Sequence, residues 1–334
     1  MLLRSLCLAA ACCLSAAATH AADPEPSRQA QALRQASDAV IGLDVTVADG
    51  ARSIETLGRQ RSGSGVVIGP DELVLTIGYL ILEADDVQIA LDSGKRVPAR
   101  VIAYDLASGF GLVQPLVPLG IVPAPLAPPG ADTPAGEPLM VVSGGDEGAL
   151  SIARLASRRA FSGYWEYHIE GALFTAPART DHSGAGLFNA QGELLGIGSL
   201  LVMDAMGDGE RSPGNMFVPA ALLPPILAEL RQHGSSQASH RAWLGLNCVE
   251  QQGSVRIVRI SRDSPAEHAD MRVGDVIKSI DGRPVASLEA FYKTLWAGSA
   301  ERDVQLALQR DGRERQVVVR SVDRMQTLAR AKGI

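Results

Sequence analysis

Residues 65–76 read GVVIGPDELVLT: an apolar run of strand length, a polar turn, and a second apolar run. The same pattern continues from about residue 41 to residue 218, where short apolar runs alternate with clusters of Gly, Pro, Asp and Asn. Two of those clusters, DSGK at 92–95 and NAQG at 189–192, are typical of hairpin turns. Many short strands with no regular helix between them predict a β-sandwich or barrel.

The regions around these strands differ in composition. A Pro-rich stretch over residues 115–138 has weak strand signals and fits a crossover between two barrels. Residues 27–40 predict a short helix, and residues 219–232 predict a second helix with leucines and an isoleucine on one face. With 334 residues, 46% of them hydrophobic, the chain is long enough for two folded domains plus a leader.

A second unit follows a polar linker of small residues at 233–241. Its predicted strands are residues 255–260, 276–280, 304–309 and 316–320. Between the second and third of these strands, residues 287–296 predict an amphipathic helix that begins at an N-capping serine, Ser287.

The N-terminus has the pattern of a secretory signal peptide at residues 1–21. Arg4 supplies a positive charge, and an apolar run from Leu6 to Ala18 precedes small residues, so we expect cleavage after Ala21 or Ala22. A lipid-modified Cys12 is a competing interpretation that fits its site only loosely. An uncleaved anchor is disfavoured because the apolar run is too short to span a bilayer.

Charge and cysteine content exclude several classes of protein. The formal net charge of −6 gives no reason to expect nucleic acid or an anionic membrane as a partner. Three cysteines lie in the predicted leader, which leaves Cys248 without a partner for a disulfide or a cysteine zinc site. No spacing of His, Asp and Glu suggests a metal site, no cofactor is expected, and no later stretch is apolar enough for a membrane span.

Four stretches in order resemble the HtrA family of periplasmic serine proteases. They are residues 62–68 with 74–81, residues 92–101 with 104–113, residues 181–189 with 192–197, and residues 214–219. The resemblance implies a mostly β fold: a trypsin-like double six-stranded β-barrel over residues 22–232, the linker, one C-terminal α+β PDZ domain over residues 242–326, and a tail over residues 327–334. It also implies a periplasmic location and, because the family commonly forms trimers, allows a homotrimer.

The same resemblance exposes departures at the catalytic positions. Tyr79 stands where the family has its catalytic histidine, and Gly109 stands where it has its catalytic aspartate. Ser183 keeps the position of the nucleophile. Asp181 replaces the glycine whose backbone N–H helps to form the oxyanion hole, and a carboxylate there would repel a developing oxyanion.

These departures predict a pseudoprotease with a vestigial Ser183. A serine hydroxyl needs a base to take its proton, and a tyrosine, which titrates near pH 10, is not one at neutral pH. Losing a triad serine or histidine costs about 10⁶-fold in rate. The alternative is an active serine endopeptidase in which Ser183 uses a non-standard base. His182, adjacent in an extended chain, would point away from Ser183, whereas His168 stays open.

The second unit resembles a bacterial PDZ domain in residues 243–246 (WLGL), 264–266, 271–277 and 280–285. The resemblance implies that backbone N–H groups of Gly245 and Leu246 hold a peptide's terminal carboxylate while the peptide adds a strand beside them. The implied peptide-binding residues are Leu244, Gly245, Leu246, Phe291 and Leu295.

The expected partners of this PDZ unit are unfolded polypeptides or protein C-termini, in an envelope adaptor, chaperone or sensor role. A PDZ domain that packs on its own barrel and binds no free peptide is the competing interpretation. An aromatic cluster at residues 164–167 (YWEY) is interpreted as strand packing rather than as a docking surface.

Overall fold

The computed structural model describes residues 25–130, 133–146, 148–207 and 209–329. The predicted signal peptide, with its three cysteines, lies outside these residues. Within them, the chain folds into two β-barrels followed by a smaller sheet domain.

The first barrel is closed, with strand order β1-β2-β3-β6-β5-β4 and antiparallel pairing throughout. Its elements are α1 (Glu25–Asp38), β1 (Val40–Val47), α2 (Ile54–Leu57), β2 (Gln60–Ile68), β3 (Leu73–Ile77), α3 (Gly78–Ile81), β4 (Ala84–Ala90), β5 (Arg96–Tyr104) and β6 (Phe110–Pro115). The opening stretch, residues 65–76, forms the end of β2, its turn, and most of β3.

The second barrel is also closed, with strand order β10-β11-β12-β9-β8-β7. Its elements are β7 (Pro138–Val142), β8 (Leu150–Gly163), β9 (Tyr167–Ala176), β10 (Gly186–Phe188), β11 (Leu194–Val202) and β12 (Gly214–Pro219). The Pro-rich stretch connects the two barrels, from the end of β6 at Pro115 to the start of β7 at Pro138, and its described part contains no further named strand. The double six-stranded barrel expected from the sequence is therefore confirmed.

One buried apolar cluster spans both barrels, and a separate cluster that includes Leu187 and Phe217 lies in the second barrel. Leu75 and Phe110 of the first barrel belong to the same buried cluster as Phe174 and Phe188 of the second. Burying a side chain of this size is worth roughly 1.5–3 kcal/mol, so this cluster holds the barrels together as one body. The loops that enter the interface between the barrels are thereby fixed against each other.

The helix predicted over residues 219–232 is interrupted. A 3₁₀ turn covers Ala220–Leu222, and α4 begins only at Leu227 and ends at His233. Pro224 and Pro225 explain the break, because proline has no N–H to donate to the helical hydrogen bonds and its ring clashes with the carbonyl of the preceding turn.

The C-terminal domain is a five-strand path, β14-β15-β16-β18-β19, with β17 paired to β16. Its elements are β13 (Ala242–Trp243), β14 (Leu246–Gln251), β15 (Ser254–Ile260), α5 (Pro265–His268), β16 (Val276–Ile280), β17 (Arg283–Pro284), α6 (Leu288–Leu295), β18 (Asp303–Arg310), β19 (Arg313–Arg320) and β20 (Val322–Asp323). Ser287 caps α6 by accepting a hydrogen bond from the N–H of Ala290 at 3.1 Å, as its sequence predicts.

The linker is anchored to the first barrel by one buried carboxylate. Asp105 accepts hydrogen bonds from the hydroxyls of Ser236 and Ser239, each at 2.5 Å, and from the hydroxyl of Ser108 at 2.6 Å. The linker therefore lies on the barrel through specific bonds. Among the described residues, no helix combines the length and the apolar character needed to cross a membrane.

Candidate active site and peptide-binding site

The three positions expected to carry catalysis are brought together between the barrels. Tyr79 lies in α3, directly after β3, and Ser183 lies in the loop before β10. The backbone N–H of Ser64 on β2 donates to the carbonyl of Ser183 at 2.9 Å, which ties this loop to the first barrel. The N–H of Gly78 donates to the carbonyl of Gly109 at 2.7 Å, so Gly109 lies beside the Tyr79 backbone.

The Tyr79 hydroxyl contacts the nucleophile position directly. Its oxygen lies 2.7 Å from Ser183 Oγ and 2.8 Å from the carbonyl oxygen of Ser199. A phenol has one proton, and a carbonyl can only accept. Both bonds are satisfied when Tyr79 donates to Ser199 and the Ser183 hydroxyl donates to the phenol oxygen.

This arrangement leaves Ser183 protonated. Burial raises the pKa of Tyr79 to about 12, although the hydrogen bond with Ser183 opposes the rise. A neutral phenol is a very weak proton acceptor, so the Ser183 hydroxyl is held in place without being activated.

The position of the family's aspartate is filled by a different side chain. Gly109 has a φ of +81°, and a Cβ atom there would lie 2.5 Å from the Tyr167 hydroxyl oxygen. That hydroxyl donates to the carbonyl of Ser108 at 3.0 Å. An aspartate at 109 would be strained and would collide with Tyr167, so the surroundings have adapted to glycine.

Asp181, at the position of the family's oxyanion-hole glycine, forms an ion pair with Arg179. Nε of Arg179 donates to Asp181 at 2.9 Å, its Nη2 donates to the second carboxylate oxygen, and the Ser143 hydroxyl donates to that oxygen at 2.5 Å. Arg179 is the largest influence holding the pKa of Asp181 below its usual range, and the residue's own backbone N–H contributes in the same direction. A charged carboxylate thus lies at the position where the resemblance places the oxyanion-hole glycine, and its charge would repel a developing oxyanion.

The two histidines considered as substitute bases have other partners. Nδ1 of His182 lies 3.1 Å from the carbonyl oxygen of Arg179, and burial lowers the pKa of His182. The ring nitrogens of His168 lie 2.9 Å from the Ser162 hydroxyl and 3.2 Å from a carboxylate oxygen of Glu170. These contacts engage His168 on the β8–β9 hairpin.

One cluster has metal-ligand residue types but already contains a cation. His168, Glu170 and Glu289 each bring a ligand atom to within 4.8 Å of the others. The Lys293 ammonium, however, lies 2.5 Å from Glu170 and 2.6 Å from Glu289. The cluster is therefore an ion-pair contact between β9 and α6.

In the C-terminal domain, the loop before β14 presents N–H groups to a carboxylate of the same chain. Gly245 and Leu246 each donate to Oε1 of Glu166 at 2.9 Å, and the N–H of Leu244 lies 3.4 Å from Oε2. Gly245 has a φ of +84°, and a Cβ there would lie 2.2 Å from that of Ser264, so only glycine fits. Burial raises the pKa of Glu166, while Arg324 and the loop N–H groups oppose the rise.

Comparison with known proteins supports both units. Residues 63–197 match the model of the trypsin-like peptidase domain, and residues 242–320 match the model of the PDZ domain. The order of these two domains agrees with the barrels and the sheet domain seen here. The chain is an HtrA-family protein with one PDZ domain.

Two curated relatives of this HtrA-family chain are bacterial endoproteases. It is 24% identical over 281 residues to a probable periplasmic serine endoprotease DegP-like protein of Halomonas elongata, covering 78% of the chain and 56% of that relative. It is 23% identical over 263 residues to the periplasmic serine endoprotease DegP of Escherichia coli K12, covering 75% and 55%. The chain thus spans about half the length of the curated relatives it matches.

A solved structure resembles the fold over most of the HtrA-family chain. The HtrA-type protease AlgW, solved with a decapeptide, superposes with a TM-score of 0.55 at 17% identity. The match covers 89% of this chain and 98% of that one. At this identity the likeness concerns the fold alone.

The predicted peptide-binding residues occupy two kinds of position. Leu244, Gly245 and Leu246 contribute the loop N–H groups, as the resemblance implies. Phe291 and Leu295 are fully buried in the core of the PDZ domain.

Several residues that shape both sites have no signal in the sequence. In the protease site, Tyr167 fills the space beside Gly109, and Arg179 and Ser143 bind the Asp181 carboxylate. In the PDZ domain, Glu166 binds the N–H groups of residues 244–246, called the PDZ loop from here on. The aromatic residues of the cluster at 164–167 pack on each other at the β8–β9 turn, where the rings of Trp165 and Tyr167 stack with centroids 5.6 Å apart. The cluster also contacts the PDZ domain through Glu166.

Proposed function

We propose that this HtrA-family chain is an exported pseudoprotease. It binds unfolded chains or peptide C-termini through its PDZ domain and acts in the periplasm as an adaptor, chaperone or sensor. The observation that carries the proposal is the 2.7 Å contact between the Tyr79 hydroxyl and Ser183 Oγ, in the place where a protease needs a base.

Three changes in one site reinforce each other. Tyr79 cannot accept the serine proton at neutral pH, Gly109 offers no carboxylate, and Asp181 places a negative charge beside the N–H that an oxyanion would require. Removing the base alone costs about 10⁶-fold in rate, equivalent to about 8 kcal/mol of transition-state stabilisation. Restoring one group would therefore leave the other two defects in place.

The proposed location rests on export and on relatives. The N-terminal residues have the pattern of a signal peptide, and the relatives are named as periplasmic endoproteases. AlgW, of the same fold, was solved with a decapeptide, which supports peptide binding as the retained activity. A homotrimer, as the family commonly forms, is part of the proposal and is measurable by sedimentation equilibrium.

Retention of Ser183 favours one competing function, an active endopeptidase with a non-standard base. The hydroxyl has kept its place in the loop before β10 and makes a 2.7 Å hydrogen bond with Tyr79. His168 is the base that the sequence left open, but its ring nitrogens contact Ser162 and Glu170. The pseudoprotease is therefore the better supported of the two.

Turnover of an unfolded substrate separates the two functions. We expect the purified protein to bind reduced, carboxymethylated casein and to release no more fragments from it than S183A releases. Serine-dependent cleavage by the wild-type protein would contradict the proposal. A further loss of that cleavage in H168A, with S162A as the matched control, would then identify the base.

A further inference from the structure

The PDZ loop is occupied by a side chain from the second barrel. Glu166 lies in the turn between β8 and β9, is 2% exposed, and accepts the hydrogen bonds of Gly245 and Leu246. A peptide C-terminus would present the same chemical group to the same N–H donors. The side-chain carboxylate therefore stands where the carboxylate of a bound peptide is expected.

The backbone beside Glu166 also follows the geometry of an added strand. The carbonyl of Tyr164 accepts a hydrogen bond from the N–H of Cys248 on β14 at 2.8 Å. Tyr164 lies two residues before Glu166, so the turn offers a carboxylate to the loop and a carbonyl to the strand. A peptide bound by strand addition offers the same two groups.

The opposite wall of the groove contacts the turn through Tyr292 of α6. Its hydroxyl donates to the carbonyl of Gly163 at 2.7 Å and accepts from the N–H of Glu166 at 3.2 Å. The Tyr292 side chain is fully buried. Both the strand and the helix that form a PDZ groove are therefore bonded to this turn.

The conformation of the turn is held by its contacts. Glu166 has a φ of +57°, which is uncommon for a residue other than glycine and persists only where the surroundings fix it. Nη1 of Arg324, which follows the PDZ strands, donates to the carbonyl of Trp165 at 3.0 Å. The PDZ domain thus supplies bonds to every residue from Gly163 to Glu166.

From these contacts we infer that the β8–β9 turn is an internal ligand of the PDZ domain, with Glu166 in place of a terminal carboxylate. A free C-terminus binds only by displacing this turn. The inference about displacement rests on the proposed peptide-binding function, whereas the internal contact itself does not.

Hydrogen exchange at the loop amides tests the internal contact without any peptide. In the full-length protein we expect slow exchange at Gly245, Leu246 and Cys248. Glu166→Ala should speed exchange there at least tenfold, and Glu314→Ala, which removes an exposed carboxylate of β19, should not. Unchanged protection in Glu166→Ala would overturn the inference.

Two milder variants cover the case in which Glu166→Ala does not fold. Glu166→Gln keeps the shape but weakens the acceptor, and Tyr292→Phe removes only a hydroxyl. Each should speed exchange at the same three amides several-fold. Protection equal to that of the wild type in both variants would overturn the inference.

Peptide binding tests the displacement. The probe is a fluorescein-labelled pool of decapeptides with free C-termini, and the control pool ends in amides. We expect the free-acid pool to bind Glu166→Ala at least tenfold more tightly than it binds the wild type or Glu314→Ala. We expect the amide pool to bind none of the three proteins. Equal affinity for wild type and Glu166→Ala would overturn the displacement. Faster exchange with no binding by any variant would instead reject the proposed peptide-binding function and leave the internal contact standing.

Discussion

At the scale of single residues, two side chains shape the protease site. One stands in place of the triad histidine, and the other fills the space beside the aspartate position. Tyr79 contacts Ser183 and the Ser199 carbonyl. Its phenol therefore occupies the position of the base without acting as one, and it satisfies a backbone acceptor. Tyr167 fills the volume beside Gly109. Reinstating a triad thus requires more than exchanging Tyr79 and Gly109, because Tyr167 must also give way.

Gly109→Asp tests this adaptation. We expect it to lower the free energy of unfolding through two causes, the positive φ and the contact with the Tyr167 hydroxyl. Gly94 is the matched control, with a φ of +79° and no atom within 4 Å of an added Cβ. Gly94→Asp should cost about 1 kcal/mol, and Gly109→Asp about 2 kcal/mol more.

Urea denaturation measures both variants. Adding Tyr167→Phe to Gly109→Asp should recover part of the loss because it removes the nearest atom. Equal stabilities for the Gly109 and Gly94 variants would mean that Tyr167 does not fill the aspartate position.

At the scale of elements, the linker is held by charge-assisted hydrogen bonds to Asp105. Burial raises the pKa of Asp105, but the bonds from Ser108, Ser236 and Ser239 outweigh it and hold the pKa below 3.8. A carboxyl group whose pKa is lower in the folded state than in the unfolded state stabilises the fold at pH values above its unfolded pKa. This contribution is lost as the pH falls through 3.8 toward the folded pKa.

Asp105→Asn should therefore destabilise the protein at pH 7, by about 2 kcal/mol, since hydrogen bonds to a charged group are worth about 1.5–3 kcal/mol. The difference from the wild type should shrink as the pH is lowered from 5 to 3. Denaturation at a series of pH values measures it, with the exposed Asp49→Asn expected within about 0.5 kcal/mol of the wild type. A difference that did not depend on pH would show that the Asp105 charge is not responsible.

The sequence predicted the elements well where the signal is local. Alternating apolar runs and turn residues predicted barrels of short strands, and residues 65–76 fall on β2 and β3. The resemblance singled out Tyr79, Gly109 and Ser183, which the structure brings close together. The prediction of one helix over residues 219–232 was wrong in its middle, because Pro224 and Pro225 interrupt the helix despite the apolar periodicity. Contacts such as Tyr167 with Gly109 or Glu166 with Gly245 join distant segments, and no local pattern encodes them.

At the scale of the whole molecule, the two sites are connected through one hairpin. The β8–β9 hairpin carries Glu166 at one position and Tyr167 at the next, so the side chain that fills the PDZ loop adjoins the one that fills the triad space. Lys293 adds an ion pair from α6 to Glu170 on β9. The barrels and the PDZ domain therefore meet along a continuous set of bonds rather than through a free linker.

The most direct test of an unactivated Ser183 is labelling with a fluorophosphonate probe, which reacts with activated serines. We predict that the folded wild-type protein is labelled no faster than S183A, because the Ser183 hydroxyl is bonded to a neutral phenol. Labelling that depends on Ser183 and on native structure would contradict the account, since it would show a base that withdraws the serine proton despite Tyr79.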